Sequence, residues 1–420
     1  MVTTVYICGF ECGLSTTDVV GVGQHLRNVP AGITFSTTTV RSGARSLRNL
    51  NSSAATLPSF ASSTTYVWRM YVRFATLPST DCFLGAVDYT GTSAGPGFKQ
   101  SDSTIRSYVD IAGVPTFGAT GVVVTTGVWY RVDVKSVGSV VAGTVDVQVD
   151  GTAVAQVTGA FASANATAMV VGSLSAPTHE TFFDDLVVSQ TAGDYPITAT
   201  DSKVIALVPT SDGTHNVAGA NDFDRTLTGT DIDNTTTTAW QLVDAVPFIA
   251  TDISAVECIT ITAPPNATDY VQCVFGPAPS SSAVTTETVL GVEVLGALQT
   301  ASAGGSPTMD LSLRINDGGT TGDVFTSSVF YQPSTPVFKP AHFAVAPSTG
   351  AAWTAAKVNA LQVRFGSFDA ADSAPDGYFG TVMCEVALAP VAFDVATVAA
   401  YEGLGMLRQP MTPRTQVVAY

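Results

Sequence analysis

Acid–base chemistry at a glycosidic bond needs two carboxylates that address one bond, about 5–5.5 Å apart in retaining enzymes. On a single strand that calls for a Glu-x-Asp-x-x-Glu type of run, and the chain has none. Asp184–Asp185 is the nearest carboxylate pair. Neighbouring strand residues point to opposite faces. One aspartate is therefore expected to face solvent or a turn and the other to bond backbone. His25, His179, His215 and His342 are isolated, and none sits in an H-x-x-x-H or H-E-x-x-H pattern. They read as surface or loop residues, with His179–Glu180 the one weak catalytic candidate. Cys8, Cys12, Cys82, Cys258, Cys273 and Cys384 form no C-x-x-C pair and read as buried free thiols. There is no phosphate loop or dinucleotide fingerprint. No catalytic residue is assigned, and the expectation is a protein that is not an enzyme.

Binding chemistry leaves two openings. Asn221, Asp222, Asp224, Asp231 and Asp233 make the densest acidic loop, and a hard cation such as calcium takes six to eight oxygens. The spacing lacks the Asp-x-Asp-x-Asp-Gly order of a known calcium loop, so a solvated polar loop is the favoured reading. The expected cofactor set is empty, with calcium the one ion weighed. Saccharide binding needs exposed aromatic rings beside polar partners. Tyr89, Phe98, Tyr108 and Phe117 lie in or beside loops and are the candidate glycan contacts. Trp68 and Trp129 sit in alternating strands and read as core.

Composition narrows the classes further. Only 12% of the 420 residues are charged, against roughly a quarter in an ordinary domain. The net charge of −16 argues against nucleic acid as a partner. The 45% hydrophobic content argues against disorder. Scarce Glu and Lys argue against long helical bundles. No apolar run of 18 or more residues is present, so membrane insertion is not expected. The first residues lack a basic stretch followed by a long apolar core, so no signal peptide is expected.

The elements that must position these residues are strands. Residues 66–74 alternate, with Tyr66, Trp68, Met70, Val72 and Phe74 on one face and Val67, Arg69, Tyr71 and Arg73 on the other. Residues 129–137 alternate likewise. In 143–149, Val145, Val147 and Val149 point inward, and Asp150–Gly151 signals a hairpin. The reading is all-β: two antiparallel, jelly-roll-like β-sandwich domains, with a short C-terminal helix and an extended tail. The first spans 1–190, a linker 191–202, the second 203–390, and the tail 391–420. Strands are expected near 257–262, 269–276, 287–297, 309–315, 324–331 and 378–388, with a polar surface loop over 210–240. The clearest helix lies in 352–361, where Thr354 can cap.

Several pieces of the first half occur in one order: Gly9-Phe10-Glu11-Cys12-Gly13, Thr39 to Arg48, the Trp68 strand, Gly127 to Val134, Gly143 to Gly151, and Phe183-Asp184-Asp185-Leu186. This set resembles the concanavalin A-like (laminin-G-like) jelly-roll domain as bacteriophage structural proteins carry it. The second half, through Val204 to Pro209, Trp240 and the Pro347 to Leu361 stretch, is similar to the domain that follows it in phage tail-associated proteins. The resemblance implies a non-enzymatic virion protein that is tail-associated, as a minor tail, fibre or tip component. It would assemble in the host cytoplasm as a homo-oligomer, with a trimer favoured. Its partners would be its own copies, neighbouring virion proteins and host cell-surface glycan. Residues 407–420 would dock on a neighbour. The alternatives are a capsid decoration or head fibre protein, and a glycan-binding or glycan-cleaving module. Outward strand positions rich in Thr, Ser and Gln lead to the expectation of large, weakly charged interfaces.

Overall fold

The computed structural model describes residues 3–11, 26–173, 178–197, 201–217, 223–225, 231–244, 258–261, 269–277, 284–300, 311–317, 328–330, 337–367 and 377–390. The 391–420 tail lies outside them, as do His25 and Cys12. The fold is nearly all β, with antiparallel sheets forming two sandwich-like domains and one short α-helix, Ala355–Asn359. Among the described residues, no helix is long and apolar enough to cross a membrane.

In the first domain a nine-stranded sheet packs on an eight-stranded one. The nine-stranded sheet runs, edge to edge, through Thr152–Ala153, Gly143–Val149, Trp129–Val137, Thr65–Thr76, Glu180–Ser189, Ser46–Leu50 and Ile33–Ser36. The strand Thr4–Cys8 pairs onto Glu180–Ser189. The period-2 pattern sets the core. Trp68, Met70, Val72 and Phe74, with Val145, Val147 and Val149, meet Leu84, Phe98, Val109 and Met169 of the facing sheet. Asp150 and Gly151 both take positive φ, 50° and 80°, as a tight two-residue hairpin turn requires. Trp68 is fully buried. Trp129 pairs opposite Arg73 on the outer face and is only half-buried, so it does not belong to the core. In that strand the inward positions are taken by Tyr130, Val132 and Val134.

Among the described residues, the second domain is built on one branched ten-stranded sheet. Gly377–Ala389 is its hub, pairing with Lys203–Asp212, Ile259–Ile261 and Thr288–Thr300. The expected strands are present, and Phe223–Arg225, Val337–Phe343 and Gln362–Ser367 are added to them. The 210–240 stretch is thus more than a loop, since it also contains the 3-10 turn Ala239–Leu242. Thr354 caps the helix, accepting from the Lys357 amide at 3.3 Å, and buries Val358 and Leu361.

The 191–202 segment is not a free tether. Asp194 accepts from the Thr3 amide (2.9 Å) and the Ser189 hydroxyl (2.6 Å). Ile197 is buried with Val67, Val187, Val204 and Leu290, which joins the two domains in one apolar cluster.

Candidate functional site

The carboxylate pair departs from the sequence expectation. The Glu180–Ser189 strand carries a bulge between Asp184 and Val187, and Asp185 takes φ 52°. The extra residue cancels the alternation, and both aspartates reach the 41–42 loop. Asp184 Oδ2 accepts from the amides of Arg41 (2.9 Å) and Ser42 (3.4 Å). Asp185 is bound by the Arg41 guanidinium, the Ser42 hydroxyl and the Val204 amide. Both are fully buried. Burial pushes the Asp184 carboxyl well up, and the Asp185 charge adds to it. Burial pushes the Asp185 carboxyl up as well, with the Arg41 guanidinium and the Ser42 hydroxyl acting in the opposite direction.

These aspartates belong to a larger buried seam between the domains. Across the outer face of the second sheet, His342, Glu293 and Glu385 stand opposite one another on adjacent strands. Like charges placed so are unfavourable unless something else holds them. Here the Thr4–Cys8 strand and the turn after it supply amides. Ile7 N–H donates to Glu293 Oε2 (2.9 Å), Gly9 N–H to Glu385 Oε2 (3.1 Å) and Glu11 N–H to Glu385 Oε1 (3.1 Å). The carboxylates thus complete the free edge of a strand whose other edge is paired. The Thr4 hydroxyl donates to the Leu290 carbonyl (3.1 Å). His342 Nε2 therefore donates to the Thr4 carbonyl (2.9 Å), and Nδ1 lies 3.3 Å from Glu293 Oε2. Glu11 accepts from the Ala44 amide at 3.0 and 2.9 Å. Burial raises its pKa to about 8, and Glu385 contributes in the same direction. Gly43, at φ 66°, leaves the space this carboxylate fills, since a Cβ there would lie 1.7 Å from Glu11 Oε1.

The described histidines take part in hydrogen bonds within the fold. His179 and His215 are buried. His179 Nε2 lies 2.5 Å from Asn49 Oδ1, and His215 Nδ1 accepts from the Gln272 amide at 3.0 Å. His179 and Glu180 do not converge, because Glu180 instead pairs with Arg48 (2.7 Å). The five described cysteines are buried.

The candidate glycan contacts require correction. Tyr89, Phe98 and Tyr108 are 0, 1 and 2% exposed. Tyr89 packs on Phe161, with its hydroxyl 3.0 Å from Ser136 Oγ. Phe98 packs on Phe74 in the core. Tyr108 is wedged between Phe83 and Phe117. Phe117 is half-buried, with the Lys99 ammonium 5.0 Å over its ring. None of the first three presents a ring for stacking. Of the acidic loop, Asp231 and Asp233 are exposed, and Asp233 Oδ1 is taken up by its own turn, accepting from the Thr235 amide (2.8 Å) and hydroxyl (2.7 Å). Asn221 and Asp222 lie outside the described residues. Among the described residues, no group of three or more His, Cys, Asp or Glu is arranged to hold a metal ion.

On the outer face, a cleft of about 400 Å³ lies at the rim of the nine-stranded sheet. Thr34, Arg48 and Phe182 follow one another across adjacent strands along its floor. The 36–39 turn forms its wall, held by Ser36 Oγ accepting from the amides of Thr38 (3.3 Å) and Thr39 (3.1 Å). Phe182 lies under Arg73, whose guanidinium is 5.9 Å from the ring centroid. The sequence carried no local signal for this cleft, because its residues come from three strands far apart in the chain.

No family model matches the chain, and no curated protein is significantly similar to it. Among solved structures it is similar to a cellulose-induced protein, at 13% identity over 44% of this chain and 97% of that one, with a TM-score of 0.33. It is similar to the globular domain of T. cruzi calreticulin, at 10% identity over 46% and 91%, TM-score 0.33. It is also similar to domain 4 of AbnA, a GH43 extracellular arabinanase from Geobacillus stearothermophilus solved with arabinotriose, at 17% identity over 45% and 92%, TM-score 0.32.

Proposed function

We propose that the chain is a non-enzymatic structural protein of a bacteriophage particle, associated with the tail, homo-oligomeric and in contact with host-surface glycan. The observation that carries this reading is the seam. The carboxylates that could serve acid–base chemistry, Glu11, Asp184, Asp185, Glu293 and Glu385, are spent on backbone amides that fasten two sandwiches together. A catalytic carboxylate must reach a substrate, and each of these is closed off from solvent. Two domains fastened in this way make a stiff building block, which suits a particle component that transmits load or holds a position. The ordered sequence pattern points to the same class, and its pieces Glu11, Arg41 to Ala44 and Asp184–Asp185 are the ones that meet at the seam.

Electron microscopy of intact particles with an antibody to this chain tests the reading. Label on the tail is expected. Label on the head would move the protein to a decoration role, and no label on the particle would end the proposal. Light scattering of the purified chain is expected to report three copies, and deletion of residues 407–420 is expected to weaken incorporation into particles.

A further inference from the structure

We infer that the rim cleft over Thr34, Arg48, Glu180 and Phe182 is a binding site for a neutral saccharide, one or two sugar rings presenting vicinal hydroxyls. The inference rests on the glycan contact in the proposed function and gives it an address that the sequence placed elsewhere.

Three observations converge on this chemistry. The first is the Arg48–Glu180 pair. Arg48 Nε donates to Glu180 Oε1 at 2.7 Å, and the two side chains are 38% and 29% exposed. The pair is therefore fixed in geometry yet keeps guanidinium N–H groups and a carboxylate oxygen facing the cleft. Adjacent sugar hydroxyls each both donate and accept, so a vicinal diol spans an acceptor carboxylate and a donor guanidinium held side by side. The two charges cancel, which favours a neutral ligand over a phosphate or an acidic sugar. The second is the wall. The 36–39 turn brings Ser36, Thr37, Thr38 and Thr39 to the cleft, and its backbone is set by the Ser36 hydroxyl rather than left free. Thr34 Oγ1 at the floor is buried and has no hydrogen-bond partner. The third is size and shape. At about 400 Å³ the cleft falls within the roughly 300–1,000 Å³ of small-molecule sites, and its surface is polar, with Phe182 buried in the floor, so it holds a ligand by hydrogen bonds rather than by ring stacking. Elsewhere on this sheet face the Tyr71 hydroxyl accepts from the Ser202 amide (2.9 Å) and Val67 packs with Ile197, Val204 and Leu290.

The test is titration calorimetry of the intact purified chain against cellotetraose, xylotetraose and maltotetraose, with tetragalacturonate as the acidic comparison. Binding of at least one neutral sugar is expected. Glu180→Gln and Arg48→Gln are each expected to weaken it at least tenfold. Thr37→Trp, which fills the cleft from an exposed turn position, is expected to abolish it with the melting temperature unchanged. No heat with any neutral sugar, binding of tetragalacturonate alone, or neutral-sugar binding that survives Thr37→Trp would each overturn the site. These measurements need no particle, so a failed titration leaves the tail location standing, and a particle without label leaves the saccharide site standing.

Discussion

Glu11 shows what a single side chain does at the seam. Its carboxyl is raised from 4.5 to about 8 by burial, so the folded chain keeps a proton that the unfolded chain has lost across that range. Stability from this group is full below pH 4.5 and is lost as the pH rises to about 8. Asp184, raised by burial and by Asp185, acts in the same direction. The melting temperature is therefore expected to fall as pH rises from about 5 to 8, and Glu11→Gln is expected to flatten that slope without removing it. Melts recorded at half-unit pH steps check this, and a slope identical in the variant would refute the assignment. The identity of Glu11 was visible in the Gly-Phe-Glu-Cys-Gly run, but its burial was not. The residues that bury it, Gly43, Ala44 and Glu385, lie up to 374 positions away. The same reason explains Tyr89, Phe98 and Tyr108. A loop-adjacent position in sequence says nothing of which sheet will close over it.

At the scale of elements, local pattern was a good guide wherever one interaction dominates. Alternation identified the strands, Asp150–Gly151 the hairpin and Thr354 the helix cap, since each is set by neighbours within a few residues. The bulge at Asp185 broke the rule that adjacent residues face apart, and no local signal announces one. The outer face of the nine-stranded sheet carries a buried charge pair. Arg69 and Asp133 lie on it fully buried, 2.6 Å apart, with Arg131 alongside. Removing one member of such a pair leaves an uncompensated buried charge, at a cost of about 3–5 kcal/mol. Arg69→Met is expected to destabilise the fold by that amount in chemical denaturation, and Arg69→Met with Asp133→Leu to recover most of it. A double variant no better than the single one would show that the pair is held by more than its mutual charge.

At the scale of the whole molecule, the seam couples two domains that each have a separate core. Calorimetry is expected to show one cooperative transition. Glu293→Ala combined with Glu385→Ala leaves the amides of Ile7, Gly9 and Glu11 without those acceptors, each worth about 1–3 kcal/mol, and is expected to split the melt in two. Two transitions in the unaltered chain would contradict the coupling, and with it the stiff unit on which the proposed particle role depends. By itself the sequence determined the class of fold and the direction of most side chains along each strand, because a period of two and a few turn residues act over short distances. It also pointed away from nucleic acid through its charge. Only the tertiary structure decided which carboxylates are buried, which aromatics are covered, and where a cleft stays open. Those outcomes depend on contacts between strands hundreds of residues apart, and no local spacing encodes which faces will meet.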